Sequence, residues 1–129
     1  MKFSIKNINF TPAGHEDPKN PSVLKKVILT VKDIKINGVI QMINWAKMEK
    51  GKNFSRHYHQ NMDEIFIIIS GTARIKINKE QATLEASDTI YIPLKAEHEM
   101  KNIGKGNLVY IAIGIVRKSG GKTIIVKSK

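Results

Sequence analysis

The sequence predicts an all-β protein, a sandwich or barrel of short strands, and three observations carry that prediction. Ile outnumbers Leu 21 to 5, and β-branched side chains favour the pleated, half-buried surface of a sheet over a helix. Short apolar segments recur along the chain. Turn signals separate them at Gly51, Gly71, Asn78-Lys79, Lys95-Ala96 and Gly104-Lys105-Gly106. With 129 residues the chain has the size of one domain, so residues 1–129 are expected to form one unit, residues 1–21 supplying an N-terminal strand and a Pro-rich loop.

Taken in order, the first strand is expected over Phe3–Phe10. Pro12, Pro18 and Pro21 make Thr11–Pro21 an irregular loop, because proline removes a ladder donor and fixes φ. Strands follow over Val23–Val31 and Val39–Met48. The only helical candidate, Ile34–Lys50, contains Gly38 and then β-branched Val39, Ile40 and Ile43, and is read as strand. Trp45, the single tryptophan, is expected in the core. Further strands are expected over Phe54–His59, Glu64–Ser70, Ala73–Asn78, Thr89–Pro93, His98–Asn102 and Leu108–Val116. No internal repeat or low-complexity tract interrupts them.

Composition removes several functional classes. Without cysteine there is no disulfide framework, zinc knuckle, iron–sulfur site or thiol nucleophile, so any metal must be held by His, Asp or Glu. Nowhere do 18 apolar residues run together, and Met1–Phe10 is broken by Lys2, Lys6, Asn7 and Asn9, so a soluble cytoplasmic protein without a membrane partner is expected. The net charge of +11 invites a nucleic-acid partner. Its distribution argues otherwise: only Arg56, Arg74 and Arg117 are arginines, and no basic stripe interleaved with aromatics occurs. An anionic small molecule would still be steered inward by such a surface.

Two of the four histidines stand together in His57-Tyr58-His59, near the middle of the chain, and a third is His98. On a strand, residues i and i+2 point to one face, about 6 to 7 Å apart along the backbone, so the two imidazoles can clamp one ion. A lone pair of this kind is more often two surface histidines without a ligand. Here it sits in a longer frame: Gly51 lies six residues before His57, Glu64 five after His59 and Gly71 seven after Glu64.

The stretch from Gly51 to Gly71 resembles the first motif of the cupin superfamily, G(X)5HXH(X)3,4E(X)6G, at every fixed position. The second cupin motif, G(X)5PXG(X)2H(X)3N, resembles residues 87–102: Pro93, His98 and Asn102 fit, while Ser87 and Lys95 stand where the family usually has glycine. The resemblance implies a cupin-type jelly-roll barrel, a double-stranded β-helix, holding one divalent metal through His57, His59, Glu64 and His98. Three imidazoles and a carboxylate suit Fe(II), Mn(II), Ni(II), Cu(II) or Zn(II). Four protein ligands on a six-coordinate ion leave two positions for water or substrate.

Strand parity extends the site. If His57 and His59 face inward, so does Ser55; if Glu64 does, so do Phe66, Ile68 and Ser70; Met100 and Asn102 share the face of His98. Ser55, Phe66, Ile68 and Met100 are therefore pocket-lining candidates, the last three being equally at home as plain core. The other face of the Glu64 strand, Ile65, Ile67 and Ile69, is just as apolar and needs cover, from a second copy in a homodimer or, alternatively, from the N-terminal strands. His15 is read as a solvated loop histidine. Gly120-Gly121-Lys122 lacks the spacing of a phosphate loop.

Fold and metal do not by themselves choose a reaction. The resemblance implies a metalloenzyme acting on a small chelating, anionic substrate, by dioxygenase-type chemistry or by isomerisation or epimerisation, in which Glu64 could double as a base. The alternative is a sensing barrel that captures a metabolite without turnover. With no helix-turn-helix segment visible in the sequence, the enzyme is preferred.

Overall fold

Alternating apolar residues lay most of the predicted segments down as strands of two facing sheets. The computed structural model describes residues 1–13, 17–21, 24–28, 38–117 and 123–126. His15 and Gly120-Gly121-Lys122 lie outside them. The strands are β1 (Lys2–Ser4), β2 (Thr11–Pro12), β3 (Leu24–Lys25), β4 (Val39–Met48), β5 (Asn53–His59), β6 (Met62–Ser70), β7 (Thr72–Ile77), β8 (Glu80–Glu85), β9 (Asp88–Ile92), β10 (His98–Asn102), β11 (Leu108–Val116) and β12 (Thr123–Ile125). One sheet runs β1-β9-β6-β11-β4 and the other β12-β5-β10-β7-β8, while β2 and β3 form a small ribbon. Among the described residues every strand pairing is antiparallel.

The core lies between the two large sheets. Phe66 and Ile68 of β6, Ile90 and Ile92 of β9, and Leu108, Tyr110 and Ala112 of β11 meet Ala73 and Ile75 of β7, Leu84 of β8 and Met100 of β10 in one cluster. Burying each large apolar side chain there contributes about 1.5 to 3 kcal/mol. Period-two alternation is clearest on β11, where every even-numbered residue from Leu108 to Val116 is buried. Together the two sheets make the jelly-roll barrel that the motifs imply.

Several expectations need correction. The segment Phe3–Phe10 is not one strand: after Ser4 the chain makes a single 3-10 turn over Ile5–Asn7, closed by Ile8 N–H donating to the Ile5 carbonyl at 3.2 Å. Of Val23–Val31, only Leu24–Lys25 pairs as strand within the described residues. Three strands were not foreseen, and the first, β2, lies at the start of the stretch Thr11–Pro21 expected as an irregular loop, where Thr11 and Pro12 pair with Lys25 and Leu24. β8 carries its core contacts on Ala82 and Leu84 alone, too few to register as a pattern, and is placed by a hairpin through Asn78-Lys79. β12 is only three residues long.

Trp45 is 68% exposed, contrary to a place in the core. β4 is apolar on both faces, so hydrophobicity could not say which faces inward. Pairing decides it: Trp45 stands opposite Ile111 on the outer side of the sheet. Ile65 is buried, Ile67 half-buried and Ile69 exposed. Val27 and Ile28 run past Ile65, Ile67 and Ile113 across a groove of about 320 Å³, so the N-terminal segment supplies part of the cover. Among the described residues no helix is long and apolar enough to cross a membrane.

Candidate metal centre

His57 and His59 arrive on β5 and His98 on the adjacent β10, in register opposite His57. Glu64 comes from β6 in the facing sheet, so the four residues join the sheets across the barrel interior. One ligand atom from each lies within 4.8 Å of the others. His59, Glu64 and His98 are buried and His57 is half-buried. The imidazole centroids are 4.4 Å apart for His57 and His98, 5.0 Å for His57 and His59, and 5.5 Å for His59 and His98.

The outward nitrogen of each ring is occupied. His57 Nδ1 lies 2.6 Å from the Ser55 carbonyl and His98 Nδ1 2.9 Å from the Ala96 carbonyl. A carbonyl only accepts, so both rings carry a proton on Nδ1, and in its neutral form each turns the lone pair of Nε2 into the site. His59 Nδ1 lies 3.0 Å from Thr123 Oγ1 on β12, which lets it donate in the same sense. Oriented imidazoles of this kind are typical of metal ligands.

Into the space left by those rings comes the Glu64 carboxylate. Its Oε1 is 2.7 Å from His59 Nε2 and 3.2 Å from His98 Nε2. These short approaches are poorly directed as hydrogen bonds: all three atoms are buried and none has a partner in hydrogen-bonding geometry. Lone pairs facing one another at such distances repel unless a cation sits among them. Ligands on adjacent corners around an ion, with bonds of about 2.1 Å, are themselves about 3 Å apart, so the spacing fits. The donor set and its orphaned atoms thus suit a borderline divalent ion.

The electrostatics act in the same direction. Burial alone would raise the Glu64 carboxyl, but positive charge at the His59 and His98 Nε2 positions, carried by a proton there in the absence of an ion, outweighs it and brings it down to about 2. Burial lowers His57, against the opposing pull of the Ser55 carbonyl, and the neighbouring His98 and His59 add to the lowering. A neutral His57 is the form that can bind a metal.

The surroundings are apolar and aromatic. Phe54 packs its ring edge-on to His57 at 5.1 Å and to His98 at 5.8 Å, and Phe66 lies 6.5 Å from His98. Phe66, Ile68 and Met100 are buried in the core, as their parity predicts. Ser55 is not brought to the site: its side chain is exposed and Phe54 takes the inward place. The cause is a register shift in which His98 pairs with His57 but Met100 with Phe54, three residues of β5 spanning two of β10. One extra residue reverses the parity of everything before it.

Three residues near the ligands escaped the sequence reasoning. Phe54 was hidden by that bulge, and Thr123 by its place in a three-residue strand. Tyr110 could have been found, because it shares the inward parity of Leu108 and Ala112. Its ring lies 5.1 Å from Phe66, and burial, with the Glu64 charge, pushes its phenol up. Asn102, by contrast, serves the fold: its Nδ2 donates to the Met48 and Gly106 carbonyls and its Oδ1 accepts from Gly104 N–H. Beside the site, Asp63 is fully buried and held by Tyr91 Oη at 2.7 Å, Leu94 N–H at 3.1 Å and Arg117 Nε at 3.0 Å, which anchors the β6 entry to Glu64.

Comparison with known proteins places these features in a family. The family described as Cupin domain matches residues 44–114, more than half of the chain and all four candidate ligands. Mannose-1-phosphate guanylyltransferase ManC of Salmonella typhimurium is 38% identical over 58 residues, which are 45% of this chain and 12% of that protein. The solved plu4264 protein from Photorhabdus luminescens superposes with a TM-score of 0.53 at 32% identity, covering 57% of this chain and 60% of that one. Oxalate decarboxylase from Bacillus subtilis superposes with a TM-score of 0.60 at 24% identity over 74% of this chain and 26% of that one, a likeness of fold alone.

Proposed function

The chain belongs to the cupin domain family, and on that premise we propose that it is a small-molecule metalloenzyme whose single divalent ion is held by His57, His59, Glu64 and His98. One observation carries the reading: the Nε2 atoms of His59 and His98 and a carboxylate oxygen of Glu64 face one another in a buried space without hydrogen-bonding geometry between them. A bound Fe, Mn, Ni, Cu or Zn ion would supply Lewis acidity or dioxygen activation. The protein's own part is to fix the imidazoles through Nδ1, to keep Glu64 ionised and to exclude bulk water with Phe54 and Phe66. Among the described residues no fifth His, Asp or Glu joins the group, so a six-coordinate ion held there would keep positions for water and substrate.

The substrate class proposed is a small anion that chelates the ion through two oxygens, transformed by oxidation or by isomerisation or epimerisation. The basic surface supports the sign of the charge, and the relative named for mannose 1-phosphate is an enzyme of an anionic sugar. Glu64 is the carboxylate available as a base. The proposed assembly is a homodimer through the outer face of the β4–β11–β6 sheet, where Ile43, Trp45 and Ile69 are exposed.

Elemental analysis of protein purified without chelators is expected to give one divalent ion per chain, and His98→Ala to abolish it; retention of the ion by His98→Ala would remove the site. Loaded protein is then offered chelating anions with and without oxygen. Binding without product in every case would favour a sensing barrel over an enzyme.

A further inference from the structure

We propose that the outer face of the β12-β5-β10-β7-β8 sheet carries a second site, for a phosphoryl-type oxyanion, built by Arg74, Lys76 and Lys101 between the amides of Asn53 and Gln81. It lies on the solvent side of the sheet whose inner side holds the histidines, and it does not depend on the metal. A depression of about 250 Å³ is lined by these five residues, Glu99 and the core residue Met100.

Sheet register puts them there. Lys101 of β10 stands directly opposite Arg74 of β7 and, on its other side, opposite Asn53 of β5. One step along, Glu99 stands opposite Lys76, and Lys76 opposite Gln81 of β8. Side chains two apart on a strand share a face, so all six project from the same surface. Like charges placed directly across a sheet destabilise it. That repulsion is not relieved from within: among the described residues no carboxylate comes within the 4.0 Å ion-pair distance of Arg74, Lys76 or Lys101, Glu99 included.

Three cations with one carboxylate leave a net charge of +2 in a shallow basin that has amide donors at both ends. A carboxylate ligand would satisfy one such charge. A phosphoryl group brings close to two negative charges and three terminal oxygens, enough for the Arg74 fork and both ammonium groups at once. The basin is too small for more than the phosphoryl group and a few attached atoms. Free phosphate and a phosphate monoester share this chemistry.

The test is calorimetric titration of the metal-loaded protein at low ionic strength with inorganic phosphate, glycerol phosphate and a single-stranded oligonucleotide. One phosphate per chain is expected, at least tenfold weaker in Arg74→Gln and in Lys101→Gln, and several-fold tighter in Glu99→Gln. Stripping the metal should leave the affinity unchanged. Tighter binding of glycerol phosphate assigns the site to a monoester, the reverse to the free ion, and both support it. Binding that survives Arg74→Gln and Lys101→Gln, or that disappears with the metal, overturns the second site while leaving the metal centre standing. Oligonucleotide binding that tightens with length and outcompetes phosphate overturns it in favour of a polyanion surface.

Discussion

Three imidazoles and one carboxylate whose ligand atoms converge are costly to bury unless a cation is shared among them. In this protein the arrangement is prepared by the opposite edge of each ring. Two of the three Nδ1 contacts are made to the carbonyl two residues earlier, so they come with the local strand; the third needs Thr123 from another strand. Replacing Thr123 by Val preserves a β-branched residue and removes the acceptor. Divalent-ion affinity, measured by competition with a chromophoric chelator, should fall about 10- to 100-fold. An unchanged affinity would mean that His59 is oriented by packing alone. The candidate ligands themselves were legible from spacing, because a motif of matched intervals needs no knowledge of the third dimension. Thr123 was not, since it lies 64 positions from His59.

At the scale of elements, the turns carry the clearest trace of the family pattern. Gly51 and Gly71 adopt φ of 75° and 95°, and at Gly71 an added Cβ would come within 2.8 Å of the Asn107 carbonyl. Ser87 and Lys95, where the motif has glycine, adopt φ of 76° and 66°. The left-handed conformation is thus kept while the residue suited to it is lost. Its hold is the hydrogen bonds that these turns make: Ser87 N–H to the Ile68 carbonyl and Lys95 N–H to the His59 carbonyl, both 2.7 Å. A non-glycine residue in this region costs about 1 to 2 kcal/mol, and glycine returns about 0.5 to 1 kcal/mol of that through the entropy of the unfolded chain. Lys95→Gly should therefore stabilise by about 0.5 to 1 kcal/mol in denaturant unfolding, and Lys95→Ala should not. Equal stability of the two variants would show that the turn is not strained.

Among the described residues, an apolar surface on the outside of the β4–β11–β6 sheet stays open while the one between the sheets is buried. Trp45 pairs with Ile111 and Ile111 with Ile67, while Ile43 pairs with Ile113 and Ile113 with Ile65, so two apolar rows cross three strands on the outside of the sheet. The segment 24–28 reaches Ile65, Ile67 and Ile113, yet Ile43 and Trp45 stay more than 60% exposed. Contiguous apolar surface of this kind marks interaction sites in soluble domains. Light scattering at micromolar concentration should give twice the chain mass of 14.5 kDa. Ile43→Lys should give the single mass with metal content unaltered, and Trp45 emission should shift to the red with it. A monomeric wild-type protein would reject the homodimer.

The sequence by itself determined the strand-rich fold, most of the strand positions and the four candidate ligands. Each of these is written in local spacing: alternation along a strand, punctuation at turns, and intervals between histidines, glutamate and glycines. Only the tertiary structure decided what depends on which strands meet. It exchanged Ser55 for Phe54 through one bulge against β10, brought Thr123 behind His59, turned Trp45 outward, and set Lys101 beside Arg74. The physical reason is common to all four. A strand's own pattern says which residues share a face, but the face that becomes the interior, and the neighbour across the ladder, are fixed by hydrogen bonds to segments far away in the chain.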